Sequence, residues 1–527
     1  MGFLKKYLVL TTSYLSMMGV ANAEPVLTFF ASVGAAYGLS GAVATVVGAA
    51  IVSAAAISVY TTVSALFGGR IPDISRQGQQ LPDIGATVPW PYVLGRARVP
   101  GAVNRWNSSG SNNEWAFESR ILSVGPVDAI ESVYFGNQQL TYGSPSGTSG
   151  RLVSSAPYSG GIAYLSYGLG DSGEVVDPMA TAWGGVDGNY IHQPFAYLCY
   201  RLKADEAFAG QIPKVTAVVK GVKVYDPRDN TQSPTDPTTW KWSDNPVLLC
   251  AWYVMQSFSF NEPQDRIDWE SIKVEANICD ETVNTVSGTE KRYRAGLWID
   301  EKSDRLDVLM KLTEAMAGDF IQPKTTGKWK FFAGAYSAPV YDIIEDDIIN
   351  VETYSPHLPM NSRFTKIRGS FINPASDYQP EDYPTISSAS ALLEESNFEL
   401  EKELNLDAVQ SHTQAQRVAS IILNQSRLQK TLVINMSRVG ILITVGDRVT
   451  VTDSFYGLSS VVFRVLSSQI SGNKVMLVLK EDNSSVYTPP TLTDLPPNQP
   501  IVNNTPTRGV GGGSPVDPYN VTTLQIY

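Results

Sequence analysis

The chain has 527 residues, 43% hydrophobic and 17% charged, enough apolar material for several cores and too much for wholesale disorder. Its 40 Lys and Arg are outnumbered by 51 Asp and Glu, and the net charge of −11 has the wrong sign for a broad phosphate-binding face. Three cysteines, Cys199, Cys250 and Cys279, cannot all pair or make a four-cysteine zinc site, so no disulfide framework or structural metal is expected.

In chain order, residues 1–23 read as a secretory signal or as an uncleaved hydrophobic N-terminus: Lys5 and Lys6, the apolar stretch from Tyr7 to Val20, then Ala21-Asn22-Ala23 before Glu24. No charged residue occurs from Pro25 to Gly69, and Val43 to Phe67 is long enough to span a bilayer. Its Ala, Gly, Ser and Thr suit close helix packing equally well. Residues 1–69 are therefore expected as an apolar, helical N-terminal segment.

Downstream, β-branched and aromatic runs alternate between Gly, Pro, Asn and Asp turns, which predicts a mostly β, α+β chain of small barrels or sandwiches with a few packed helices. A first β-rich region covers 70–250, with a strand from Lys214 to Val224 and the Gly/Ser-rich stretch from Thr141 to Pro178 expected as a long loop or insertion. An α+β region follows over 251–350. There Leu306, Leu309, Met310, Leu312 and Met316 mark a helix from Ser303 to Met316, and Gly318 is its expected stop.

A second β-rich region covers 351–488. It holds a strand from Phe364 to Phe371, an exposed acidic connector from Pro374 to Ser390, and a helix over 411–426. Ser411 and Gln414 have capping-box spacing there, and Ala415, Val418, Ala419, Ile422 and Leu423 form the buried stripe. Strands follow at Leu432 to Met436, Asp447 to Thr452, Val461 to Val465 and Val475 to Leu479, with Val449, Val451, Val462, Val465, Met476 and Val478 as the expected core. Residues 489–527 are expected to form a flexible tail, and their glycine run lacks the Lys-Ser/Thr of a phosphate loop.

Little in the sequence points to catalysis. His192, His357 and His412 are too far apart for ligand spacing, and no GxSxG elbow accompanies them. Carboxylates crowd at Glu345, Asp346 and Asp347, and at Glu394, Glu395, Glu399, Glu401 and Glu403. Such pairs could serve glycoside hydrolysis across a cleft, but charge runs of this kind are ordinarily solvated surface. No catalytic, cofactor or metal residue is assigned. Trp90, Tyr92, Trp106, Trp115, Trp183, Trp240 and Trp242 sit beside turns and suit cores, interfaces or stacking on sugars.

The segment from Val88 to Val99, VPWPYVLGRARV, resembles the entry to the central tail-tip hub proteins of long-tailed phages of the lambda type. Further landmarks follow in that family's order: Ser123 to Ile130 with Val133 to Asn137, Asp244 to Val247, Cys279-Asp280, Leu306 to Asp319 leading to Trp329-Lys330-Phe331, Glu403 to Leu406, Gln414 to Arg417, and Val445 to Val449. The likeness spans roughly 71–485, and the stretch before Arg70 is also similar.

It implies a homotrimeric hub at the distal end of the virion tail, contacting the distal tail protein and the tape-measure protein. Such a hub would let DNA pass without specific binding, and residues 25–69 could touch the host membrane. The lambda type continues into receptor-binding regions where this chain has a glycine-bearing tail, so separate fibres or receptor-binding proteins are expected to dock. Two other readings compete: an exported, membrane-anchored surface protein, resting on 1–69, and a tail-associated wall hydrolase.

Overall fold

A computed structural model describes residues 89–208, 212–322 and 327–495. The expected segment 1–69 and the tail from 496 onward lie outside the described residues. Among the described residues no helix is long and apolar enough to cross a membrane.

The fold is α+β and mostly β. Its first region is a sandwich of two antiparallel sheets. One runs, in spatial order, through Ala102–Ser109, Trp115–Val124, Phe195–Lys203, Ala163–Gly168, Arg151–Val153 and Tyr142–Pro145. The other is centred on Val215–Val224, flanked by Val127–Phe135 on one side and by Arg96–Val99 and Lys241–Trp242 on the other. Leu122, Leu165, Leu198 and Tyr200 from the first meet Val133, Phe135, Ala217 and Val219 from the second in one core. This face-to-face interdigitation is what alternating apolar residues on two half-buried sheets produce.

The stretch from Thr141 to Pro178 is no loop: three of its segments are strands of the first sheet, and Val153, Ala163 and Leu165 are fully buried. Small residues concealed the pattern, because the few inward positions carry the whole apolar signal. The opposite face of the same sheet is covered by the short helix Pro178–Trp183, so Phe195–Lys203 is buried on both sides.

Three helices fill the middle region: Pro246–Met255, Trp269–Asp280 and Arg305–Glu314. Asn245 accepts from the Val247 N–H and Pro246 occupies the first turn, a start signal in sequence. In the expected helix near 303–316, Leu306 is 49% exposed, while Val308, Leu309, Leu312, Ala315 and Met316 are buried. Ala317, at φ 47°, takes the left-handed position after it. Gly318 is needed for closeness instead, since a Cβ there would lie 2.1 Å from the Phe332 carbonyl oxygen.

The last large sheet has the order Tyr341–Ile343, Arg448–Asp453, Leu458–Ser471, Lys474–Glu481, Thr431–Met436, Ile348–Ser355. Its two edge strands are consecutive in the chain. Five Cα steps from Ile343 to Ile348 reach at most ~18 Å, less than the ~24 Å width of six flat strands, so the edges curl toward each other and the sheet forms a half-barrel. Val449, Val451, Phe463 and Val465 line its core with Val475, Leu477 and Leu479. Phe463 rather than the expected Val462 points inward, and Met476 and Val478 pack with Val433 on the other face. A register shift between Val465 and Ser467 resets the alternation along the longest strand.

The helix His412–Arg427 begins at Ser411, whose hydroxyl accepts the Gln414 N–H. The box is only half formed. Gln414, fully buried, turns instead to Arg294 and Ala315, accepting from the Arg294 N–H and donating to both carbonyls. Ile422 is half-buried and Ile421 takes its place in the buried set.

The expected strand from Phe364 to Phe371 divides into Lys366–Arg368 and Ser370–Asn373 at Gly369, where a Cβ would lie 1.8 Å from the Leu404 carbonyl oxygen. The connector beyond it is less exposed than its acidity suggests, since Tyr378 and Tyr383 are buried. Arg98 donates to the Asp377 carbonyl, the Gly136 carbonyl and the Thr216 hydroxyl, clamping the connector to the sandwich.

Candidate functional site

The hydrolytic reading can be tested on geometry. Ser119 and His192, 73 residues apart, come together with Oγ and Nε2 separated by 3.1 Å, a pairing sequence spacing could not reveal. Asp177 lies close enough to act on His192 electrostatically, which gives the three residue types of a nucleophilic triad.

Their arrangement is not that of a working triad. The Asp177 carboxylate accepts from the Ser166 hydroxyl at 2.6 Å, the Tyr197 hydroxyl at 3.1 Å and the N–H groups of Met179 and Ala180, so it caps the helix Pro178–Trp183. His192 Nδ1 has no hydrogen-bond partner among the described residues, so no carboxylate orients the ring. Ser119 and His192 are 1% and 4% exposed, and the imidazole is stacked on Tyr197 with ring centres 3.8 Å apart. Burial pushes its pKa down to about 4, too low for a general base near neutrality. The cluster is polar packing inside the sandwich.

The other candidates are dispersed. His357 is exposed, and His412 opens its helix. Burial pushes all three thiols up, away from the reactive thiolate. Glu394 and Glu395 pair with Arg427, and Glu395 also with Arg363 at 3.1 Å, so this acidic run is cross-linked rather than bare. Trp115, Trp183 and Tyr164 enclose the Arg201 guanidinium at 4.7, 4.0 and 4.2 Å, which accounts for two of the seven singled-out aromatics as interior packing. Trp90 stacks on Phe195, whereas Trp106 stands 56% exposed. Among the described residues no three His, Cys, Asp or Glu side chains converge as a metal site.

What the structure does assemble is an apolar rim at one mouth of the barrel, which the sequence reading missed. The turn 344–347 that joins the barrel's edges is bonded on one side to the hairpin at Ser454, whose N–H donates to Glu345, and on the other to Ser437, whose N–H donates to the Asp347 carbonyl. Those contacts gather Ile344 (49% exposed), Ile349 (48%), Leu442 (75%) and Phe455 (86%) around the turn. Val439 and Ile441 extend the rim on the 3-10 turn Arg438–Leu442, whose Gly440 packs against Val475. The acidic group Glu345 to Asp347 belongs to this rim, with the Glu345 carboxyl held below its ordinary range by the Ser454 hydrogen bonds. Exposed apolar side chains of this size, grouped and edged by charge, mark protein-contact surfaces.

The match to known proteins falls on this part of the chain. Residues 305–467 match the model of a family described as putative phage tail protein. The matched stretch runs from the helix Arg305–Glu314 into the longest barrel strand and includes the whole rim. No curated protein matches the chain.

Among solved structures, a chain of the virion of a native gene transfer agent particle is similar with a TM-score of 0.51 at 12% identity, over 82% of this chain and 97% of that one. That likeness establishes a shared fold. The 43 kDa tail protein of prophage MuSo2 from Shewanella oneidensis aligns over 77% of this chain and 97% of its own, at 11% identity and a TM-score of 0.27. The prophage tail protein gp18 from Listeria monocytogenes EGD-e gives 75% and 94% at 11% identity, with a TM-score of 0.23.

Proposed function

We propose that this chain is a structural component of a phage tail, the central hub that closes the distal end of the tail tube. The observation that carries the reading is the phage-tail family match over 305–467, which holds the apolar rim and all but the strand Lys474–Glu481 and the end of Leu458–Ser471 of the barrel sheet. The fold shared with a virion chain of a gene transfer agent supports it, as does the order of hub-like landmarks from Val88 to Val449.

On this reading three copies surround an axial channel, with the distal tail and tape-measure proteins above them and separate fibres docked outside. The acidic balance of the chain keeps DNA from adhering as it passes. The rim is one of the surfaces by which the hub meets its neighbours. Its work is assembly and opening, not bond-breaking.

Cryo-electron microscopy of the particles that contain this chain is the direct test. Three copies around a channel at the tail end are expected, and a monomer recovered in a membrane fraction would overturn the reading. Within that experiment, Leu442→Asp with Phe455→Asp should leave the purified chain folded while depleting it from particles. Normal incorporation of the double variant would remove the rim from the account.

A further inference from the structure

A cleft of about 480 Å3 opens beside the helix Pro246–Met255, lined by Trp240, Met255, Gln256, Asn261, Glu262, Pro263 and Gln264. It is a broad, open depression rather than an enclosed cavity, so a ligand there would keep much of its surface in water. One wall is the Trp240 indole, whose N–H donates to the Ser233 carbonyl at 2.8 Å and so fixes the ring while leaving the N–H unavailable to a ligand.

The opposing loop is also held in place. The N–H groups of Ser259 and Asn261 both donate to the Gln256 carbonyl, and that of Glu262 donates to the Val254 carbonyl. Asn261 takes the left-handed conformation, φ 55°, that this tight turn requires.

The polar lining offers both donors and acceptors. Gln256 and Gln264 each donate one amide N–H, to the carbonyls of Trp252 and Pro234, and keep the second N–H and the side-chain oxygen uncommitted among the described residues. Glu262 forms no ion pair and no side-chain hydrogen bond with any described residue, and neither does the Asn261 amide. Among the described residues no Lys or Arg lines the cleft, so none of them neutralises a phosphate, sulfate or carboxylate there. A fixed aromatic face beside unused donors and acceptors matches a neutral, hydroxyl-rich ring, whose C–H face is apolar and whose O–H groups both donate and accept.

We infer that this cleft is a saccharide-binding site taking a neutral pyranose, stacked on Trp240 and hydrogen-bonded to Glu262, Asn261 and the two glutamine amides. A proline-rich peptide would also stack on the indole, but proline carries no N–H and such a segment leaves the acceptors here unmatched. The inference is independent of the copy number and neighbours of the assembled protein, and adds a recognition role to a chain otherwise read as a scaffold.

The test is saturation-transfer NMR on the full chain with the methyl glycosides of glucose, galactose, mannose and N-acetylglucosamine, each at about 10 mM, suited to a Kd of roughly a millimolar. At least one glycoside should receive saturation through its ring C–H protons, and Trp240→Ala should abolish it. Because Trp240 also braces the 233–240 loop, Glu262→Ala provides a surface variant expected to weaken binding about tenfold, the loss of one charge-assisted hydrogen bond. Trp106→Ala, an exposed indole elsewhere, should change nothing. Absence of transfer to all four glycosides, or transfer that survives both Trp240→Ala and Glu262→Ala, would overturn the proposal. Trp240-dependent binding of a polyproline peptide without any glycoside would reassign the cleft to a peptide.

Discussion

Replacing Asp482 by Ala should destabilise the barrel more than any exposed charge change. Asp482 and Arg448 are 5% and 6% exposed, and the Arg448 Nε–H donates to Asp482 Oδ2 at 2.7 Å. The guanidinium also donates to the Ser337 hydroxyl, the Ala335 carbonyl and the Tyr487 hydroxyl, and that hydroxyl donates back to Asp482 at 3.1 Å. Without the carboxylate, Arg448 loses its hydrogen-bonded counter-ion: Asp319 is committed to Arg464 at 2.9 Å, and Glu275, which accepts the Ala333 N–H, acts on Arg448 only through space. Breaking one side of such a pair costs about 3–5 kcal/mol.

The described residues up to Asp494 form one compact unit of about 400 residues, for which each kcal/mol moves the melting temperature by ~1.2 °C, so the transition should fall by ~4–6 °C. Differential scanning calorimetry of the full chain reads it, with Arg448→Met/Asp482→Leu as the partner variant. The double variant should recover most of the loss, because it removes both desolvated charges together. A single variant within ~1 kcal/mol of the parent, or a double variant no better than the single, would refute the idea that an uncompensated charge sets the cost.

Burial at the C-terminal end of the helix Arg305–Glu314, with Asp407 and Asp307 nearby and only partly offset by Lys402 and Lys311, raises the Glu314 pKa from 4.5 to about 7. The folded state then holds a proton that the unfolded chain has released, so stability should fall as pH rises from about 4.5 to about 7 and level off above it. Glu314→Gln should flatten that slope and exceed the parent's stability at alkaline pH in denaturant titrations; an unchanged slope would assign the dependence elsewhere. Cys199, Cys250 and Cys279 are each 0% exposed, so a thiol reagent such as Ellman's should label none of the three in the native chain and all three in denaturant. Rapid native labelling at any of them would contradict the packing.

What could be read from the sequence depended on whether one element carried its own signal. The helix His412–Arg427 was legible because Ser411 caps it and a stripe of small and apolar residues repeats along it. Four barrel strands were legible by their β-branched runs, but not which face of Lys474–Glu481 looked inward, because apolar residues occupy both faces. The helix Pro246–Met255 was missed for the same reason: every residue from Pro246 to Val254 is buried, so no periodicity remains, and only the Asn245-Pro246 start marks it.

Sites made by tertiary structure were less accessible still. Ser119 meets His192 across strand and loop, and the barrel rim collects residues from 344 to 455. The Trp240 cleft comes from two segments close in sequence, and a Trp near an Asn-Glu-Pro-Gln turn was a findable signal that the bland interface reading absorbed.

The bounds of the family match can be set against the topology, and they do not coincide with a folding unit. The match ends at residue 467, inside the strand Leu458–Ser471, and leaves out Lys474–Glu481. That omitted strand lies between Leu458–Ser471 and Thr431–Met436, in the interior of the barrel sheet, and contributes Val475, Leu477 and Leu479 to the core. At the other boundary, Arg417 and Thr413 bond to Glu290, and Gln414 to Arg294, all before the match begins. A fragment of 305–467 would therefore expose two unpaired strand edges and an unmatched buried arginine.

Expressed alone, that fragment should be insoluble or lack a cooperative thermal transition, whereas 89–495 should keep both solubility and the transition. Circular dichroism melts of the two would decide it. A folded, cooperative 305–467 would mean that the half-barrel forms without its interior strand, which the pairing of Lys474–Glu481 on both sides makes physically untenable.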